Sequence, residues 1–209
     1  MVLIIETIVI AVILIFSIIA HEIAHGAAAY AMGDDTAKNA GRLSLNPIKH
    51  IDPFGSILLP GVLLLTNFLA GVHGFVIGWA KPVPVNPSNF KDKKYGEVKV
   101  SFAGPGINLL IAVIFGLALR FLLLHIPQQT ALVFAYIVQI NIALAVFNLI
   151  PLPPLDGSHI LFGLFPKIGD EVKTFLFRYG MFILIAIIIF LGDYISMLSV
   201  FLFNLIVGV

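Results

Sequence analysis

Two histidines four residues apart bracket a glutamate in the string His21-Glu22-Ile23-Ala24-His25. On a helix, positions i and i+4 share a face, so the two imidazoles can bind one zinc ion. Glu22 then lies beside the metal, where a general base for a water molecule sits. The setting sharpens this reading. The string falls in an almost wholly apolar run from Val2 to Met32, in which Glu6 is the one earlier charge. Ionisable residues at membrane depth are costly and mark function. A cluster that only fastened helices together would keep three costly residues without a task.

Two histidines do not complete a catalytic zinc site, which needs a third protein ligand and a position left for water. The chain has no cysteine, so the third ligand is a histidine or a carboxylate. Asp156 stands in Asn148-Leu149-Ile150-Pro151-Leu152-Pro153-Pro154-Leu155-Asp156-Gly157. The prolines must break the apolar helix before it, and Gly157 permits a sharp turn. A broken helix at membrane depth is how an isolated carboxylate is aimed at a site. Asp193 is the rival ligand and lacks such a setting. Glu6 stands too far up the first segment.

The elements that must position these residues follow from composition. Of 209 residues, 60% are hydrophobic and 11% charged, with a mean hydropathy of +1.08. Soluble domains carry about 25% charged residues, so the chain reads as an integral membrane protein. There is room for a single membrane domain over residues 1–209, with a core at about 2–165 and a C-terminal helix at 175–207. The net charge of +1 implies no nucleic-acid partner. The N-terminus lacks a basic n-region and a small-residue cleavage site, so the first segment reads as a retained span.

Crossing the hydrocarbon takes about 20 apolar residues. Val2–Met32, Val98–Leu124, Ala131–Ile150 and Phe175–Val209 qualify, and Gly192-Asp193 marks a candidate break in the last. The Phe-rich tail reads as lipid-facing packing. The fold class is therefore an all-α polytopic membrane protein with about four transmembrane helices.

Phe54–Trp79 is apolar but interrupted by Pro60-Gly61, Asn67, Gly71 and His73-Gly74. If it enters and leaves on one side, eleven of the twelve basic residues share that side and only Arg120 lies opposite. Short Lys/Arg-rich loops are normally cytoplasmic, which favours a re-entrant segment and an active site nearer the cytoplasm. His25 lies seven residues before Met32. At ~1.5 Å per residue that is about 10 Å below the basic surface. Gly41–Pro47 and Lys81–Pro87 read either as a small membrane-surface β element, with the prolines of an edge strand, or as two ordinary connecting loops. Such an edge can dock an extended peptide.

The His21–His25 string, together with Asn148…Asp156-Gly157, resembles the site-2 protease family of intramembrane zinc metalloproteases. Ala103-Gly104-Pro105-Gly106-Ile107-Asn108 is similar to a further family element, Gly-Pro followed by Asn. The likeness covers about Phe16 to Ile160. It implies one Zn2+ per chain held by His21, His25 and Asp156, with Glu22 as the base. It implies that Asn148 contacts the substrate or its oxyanion. It also implies a core of Val2–Met32, Val98–Leu124 and Ala131–Ile150. Many members carry a PDZ or CBS domain. This chain has neither and reads as a minimal member, which suggests a prokaryotic plasma membrane. The implied function is hydrolysis of peptide bonds in or near transmembrane segments of membrane-protein substrates.

Other residues carry weaker expectations. Asn108 contacts substrate or makes an interhelical hydrogen bond. His159 supports the zinc site or is satisfied locally. His50 and His125 read as interfacial loop residues, and His73 as a turn residue near the interface or a residue lining the re-entrant cavity. Gly104-Pro105-Gly106 permits close helix approach. Two competing functions use the same cluster. A prenyl-protein protease needs a glutamate on a later helix, and Glu97 and Glu171 read as loop-borne. A divalent-metal transporter would use the His/Asp group as a transit site.

Overall fold

The computed structural model describes residues 2–70 and 78–208. The expectations for Gly71 and His73 lie outside the described residues. The first apolar run forms α1, Val2–Ala31. It ends in a Schellman turn: Gly33 takes φ +100, its N–H donates to the Tyr30 carbonyl, and the Asp34 N–H donates to that of Ala29. A short α2, Thr36–Asn39, and a 3-10 turn at Pro47–His50 follow. Pro53–Leu58 forms a π-helical turn that runs into α3, Leu59–Ala70. After an extended stretch come α4 (Gly96–Leu122), α5 (Gln128–Asn148), α6 (Asp156–Leu164) and α7 (Asp170–Val207). Four of these, α1, α4, α5 and α7, are long and apolar enough to cross a membrane.

α4, α5 and α7 start two to five residues before the apolar runs, so Lys173 is helical as well. The expected break at Gly192-Asp193 does not occur, and α7 is continuous over 38 residues. At ~1.5 Å per residue such a helix is about 57 Å long, nearly twice a ~30 Å hydrocarbon layer. That length leaves room for its charged first turns outside the layer, and its Phe182, Phe190 and Phe201 are exposed.

α4 is the hub, packing against α1, α5, α6 and α7. One core joins Ala112 and Leu119 of α4 to Val138 and Ile142 of α5 and Val207 of α7. Another packs Leu152 and Leu155, from the proline-rich turn, on Leu184 of α7.

The expected strands at residues 41–47 and 81–87 do not form; no strand occurs among the described residues. The cause is competition for backbone groups. Side chains take the bonds a partner strand would make: Arg42 takes the Lys81 and Pro82 carbonyls, Glu22 the Val83 N–H, and Asp34 the Asn86 N–H. Pro47 meanwhile starts the 3-10 turn. The two ends of the Phe54–Trp79 segment lie together. The Trp79 N–H donates to the Gly55 carbonyl at 3.0 Å, and Ser56 Oγ donates to the Trp79 carbonyl at 2.7 Å.

Candidate metal centre

His21 and His25, one turn apart on α1, point their Nε2 atoms at the same place, 3.0 Å from each other. Asp156 Oδ2 completes the triangle, 3.1 Å from His21 Nε2 and 3.3 Å from His25 Nε2. The other ring nitrogens settle the chemistry of this triangle. His21 Nδ1 lies 2.7 Å from Asn108 Oδ1, and His25 Nδ1 lies 2.7 Å from the Val100 carbonyl. Both partners only accept, so in the neutral rings both protons sit on Nδ1 and both Nε2 atoms present lone pairs. No hydrogen bond can then join the two Nε2 atoms. Asp156 Oδ2 is buried and receives no hydrogen bond.

Three lone pairs thus converge, and they repel unless a cation sits among them. Zinc held at ~2.0–2.1 Å by tetrahedral ligands sets its ligand atoms about 3.3 Å apart. The observed triangle fits that ion, and this donor set of two imidazoles and one carboxylate leaves a fourth position open. The histidines are only 7% and 9% exposed, so water competes little for these groups.

Local structure explains each placement. Asp156 opens α6, after an extended Leu155. The turn before it is pinned by the Leu152–Leu155–Leu184 core. A Cβ on Gly157 would run into the Leu149 and Ile150 carbonyls, so glycine alone lets α6 start against the end of α5. Gly104 of α4 faces the histidines. A Cβ there would collide with His25 Nε2 and lie 2.6 Å from His21 Nε2. The expectation of close approach thus holds at Gly104. At Gly106 a Cβ would meet only Phe102, at 3.5 Å.

Glu22, next to His21 on α1, is half-buried, and its Oε2 accepts the Val83 N–H at 2.7 Å. Asn148 is not drawn into the triangle. It ends α5, and its Nδ2 donates to the Leu144 carbonyl of its own helix at 2.9 Å. Asp193 is exposed on α7 and is not among the grouped ligands. His159 is exposed and packs edge-on against Phe177, away from the metal group. His50 is buried at 3% exposure, with Nε2 2.8 Å from the Ser44 carbonyl, so it is not an open interfacial residue. Glu97 and Glu171 lie in the first turns of α4 and α7, not in loops, and neither joins the metal group.

Sequence reasoning left Asn108 between two roles and missed its partners. Asn108 is fully buried; its Nδ2 donates to Asn141 Oδ1 at 2.8 Å and to the Ser17 carbonyl at 3.3 Å. Asn141 Nδ2 in turn donates to Ser17 Oγ at 2.9 Å. The Val100 carbonyl is a backbone group and has no sequence signature. The spacing of Val100, Gly104 and Asn108 was the available signal: they lie four apart on one face of α4, opposite two histidines also four apart.

Comparison with known proteins agrees with this chemistry. The family profile described as "Peptidase family M50" matches residues 125–191, a stretch that includes Asn148 and Asp156. The chain is 41% identical over 192 residues to "Putative zinc metalloprotease YwhC" of Bacillus subtilis, covering 87% of this chain and 81% of that protein. It is 31% identical over 180 residues to "Putative zinc metalloprotease Rip2" of Mycolicibacterium smegmatis, covering 84% of this chain and 64% of the relative. With Rip2 of Mycobacterium tuberculosis the identity is 27% over 175 residues, covering 62% of the relative. The chain therefore spans just under two thirds of the mycobacterial relatives. No solved structure matches it.

Proposed function

The chain belongs to peptidase family M50, the site-2 proteases, and is a multi-pass zinc metalloprotease; on that premise we propose that it cuts peptide bonds in or near transmembrane segments of membrane-protein substrates. One observation carries the proposal. The His21 and His25 ligand atoms belong to α1, a helix of membrane-spanning length, and are walled by α4 and α6. A scissile bond must therefore come to a site among the spans.

In this reading His21, His25 and Asp156 hold one zinc ion, which when bound supplies Lewis acidity and a water of lowered pKa. Glu22 accepts the proton from the attacking water and hands it to the leaving amine. Asn148 donates to the substrate carbonyl or its oxyanion, for which its Nδ2 must release the Leu144 carbonyl. An open apolar groove of about 620 Å³ runs between α1 and α4, lined by small residues such as Ala24 and Ala103 and by large ones such as Ile23, Phe102 and Leu110. A groove so apolar favours an apolar helix as its occupant, which supports a transmembrane substrate.

The Phe54–Trp79 segment is re-entrant in this reading. The contacts of Trp79 with Gly55 and Ser56 support that, because its ends share one location. The same reading puts the active site nearer the cytoplasmic face of a prokaryotic plasma membrane, on the basic-loop argument.

The test is cleavage of a purified single-span substrate in liposomes, with products mapped by mass spectrometry. Wild type cuts within or beside the span, and Glu22→Ala does not. Cuts confined to distant soluble regions, or equal cutting by both proteins, overturn the proposal. The transporter reading predicts zinc flux into the same liposomes without any cleavage.

A further inference from the structure

Residues 78–86 form an irregular strap that reaches Glu22 and is tied down along its length. The Lys81 N–H donates to the His50 carbonyl at 2.9 Å. Arg42 Nη2 donates to the Lys81 carbonyl at 2.5 Å and to that of Pro82 at 3.3 Å. Farther on, the Asn86 N–H donates to Asp34 Oδ2 at 2.7 Å, and Asn89 Nδ2 donates to Asp34 Oδ1 at 2.8 Å. Between these anchors the Val83 N–H meets Glu22 Oε2 at 2.7 Å. Prolines at 82 and 84 have no N–H, so Val83 carries the one backbone donor of that tripeptide. Its side chain is buried at 8% exposure, and its Cγ1 would lie 2.9 Å from a Cβ on Gly26, one helical turn past Glu22.

Arg42 stands out on energetic grounds. It is 7% exposed, and among the described residues it has no acidic partner. Burying a guanidinium without a carboxylate is costly, so its retention asks for a task. Its Nη2 donates to two successive strap carbonyls, which fixes where the next amide points.

We propose that Arg42 and Val83 are positioning residues for Glu22: Arg42 clamps the strap so that the Val83 N–H holds Oε2 and leaves Oε1 for the water. The inference rests on the reading of Glu22 as the base. A glutamate side chain has three rotatable torsions, and without this bond its carboxylate samples positions off the reacting water. Misplacement by about 1 Å costs on the order of 100-fold in rate.

The chain has no cysteine, so a single Val83→Cys substitution keeps the N–H and reports on the strap through its reaction rate with a maleimide. In that background Arg42→Met speeds labelling at least about tenfold. It lowers kcat by about 10–100-fold, with KM and zinc per chain within about twofold of the parent. Arg42→Lys, which restores a charged donor without the planar guanidinium, recovers part of both. In the cysteine-free chain, Val83→Pro removes the N–H and lowers kcat by a similar factor with KM and zinc content kept. Val83→Ala, which trims the buried side chain but keeps the N–H, controls for lost packing and leaves kcat within about twofold of wild type.

Unchanged kcat in Val83→Pro overturns the proposal, also where Arg42→Met fails to fold. Loss of zinc in both variants overturns it too, because the strap is then a structural element and not a positioner. A Glu22→Gln enzyme that still cleaves removes the base itself, and so separates failure of that reading from failure of the strap.

Discussion

Replacing Asn108 with leucine should weaken zinc binding without dissolving the helix bundle. The two side chains share branching and heavy-atom count, though leucine is the larger, so the change removes hydrogen bonds and adds some overpacking at a fully buried position. Three bonds go: Oδ1 to His21 Nδ1 at 2.7 Å, and Nδ2 to Asn141 Oδ1 at 2.8 Å and to the Ser17 carbonyl at 3.3 Å. The Ser17 carbonyl lies within α1 and keeps its place in the helical ladder. Two groups are left without partners in a buried setting, the His21 Nδ1–H and Asn141 Oδ1. Each orphaned group costs about 1–3 kcal/mol.

Losing the acceptor on Nδ1 also frees the imidazole to put its proton on Nε2, where the metal must bind. Losses of such supporting partners cost about 10–100-fold in metal affinity, or about 1.4–2.7 kcal/mol. Zinc affinity measured by competition with a chelator should fall by that factor, and the visible spectrum of the cobalt-substituted protein should shift. Asn108→Asp keeps an acceptor for His21 but sets an oxygen against Asn141 Oδ1. It should hold zinc better than the leucine variant while still losing stability. A folded Asn108→Leu protein with zinc affinity within twofold of wild type would refute the reasoning.

Three further perturbations follow from the same geometry. Gly104→Ala puts a methyl against both zinc-facing nitrogens, so zinc per chain after dialysis should fall at least about tenfold, while overpacking costs about 1–3 kcal/mol in thermal stability. Asp156→Asn replaces a repelling lone pair with an N–H that can donate to an Nε2; the metal-free protein should melt no lower than wild type, yet added zinc should no longer raise its melting temperature. At Asp34, outside the spans, burial alone would raise the pKa. Hydrogen bonds from the Asn86 N–H, the Thr36 hydroxyl, Asn89 and the Thr36 N–H outweigh burial and hold the pKa below the ordinary 3.8. That stabilisation is fully present above pH 3.8 and is lost as pH falls through the lower folded value. The melting-temperature gap between wild type and Asp34→Ala should be full at pH 7 and should close below that value; a gap independent of pH contradicts it.

The spans were legible because the bilayer leaves one solution for a long apolar run, a helix with its backbone satisfied internally. The His21/His25 pair was legible because helical spacing fixes which side chains share a face. Asp156 was legible through its prolines, which had to break a helix somewhere near the depth of that pair. The strand reading of the strap failed for a physical reason, and the stretch is a connecting loop. Its prolines correctly announced missing donors, but the remaining amides and carbonyls bond to Glu22, Asp34 and Arg42, and no local pattern encodes partners 39 to 61 residues away. The Val100 carbonyl on His25 was illegible for a related reason, since every residue carries a carbonyl.

The zinc-facing geometry depends most on a helix that supplies no ligand. α4 meets α1 so that Val100, Gly104 and Asn108 face His25, the gap between the rings, and His21 in turn. Sequence numbers rise along one helix as they fall along the other, so the two helices are antiparallel at this contact and share a register of four residues. Each position does a different job. Val100 and Asn108 fix the two tautomers, and Gly104 removes the atom that would fill the metal's place. A glycine without its flanking acceptors would leave the rings free to turn, and acceptors without the glycine would hold the rings against a methyl group. The Gly-Pro-Gly-Ile-Asn stretch is therefore better understood as the second half of the His21–His25 motif than as a helix-packing device, because the histidines can present two lone pairs to one ion only while α4 keeps this register.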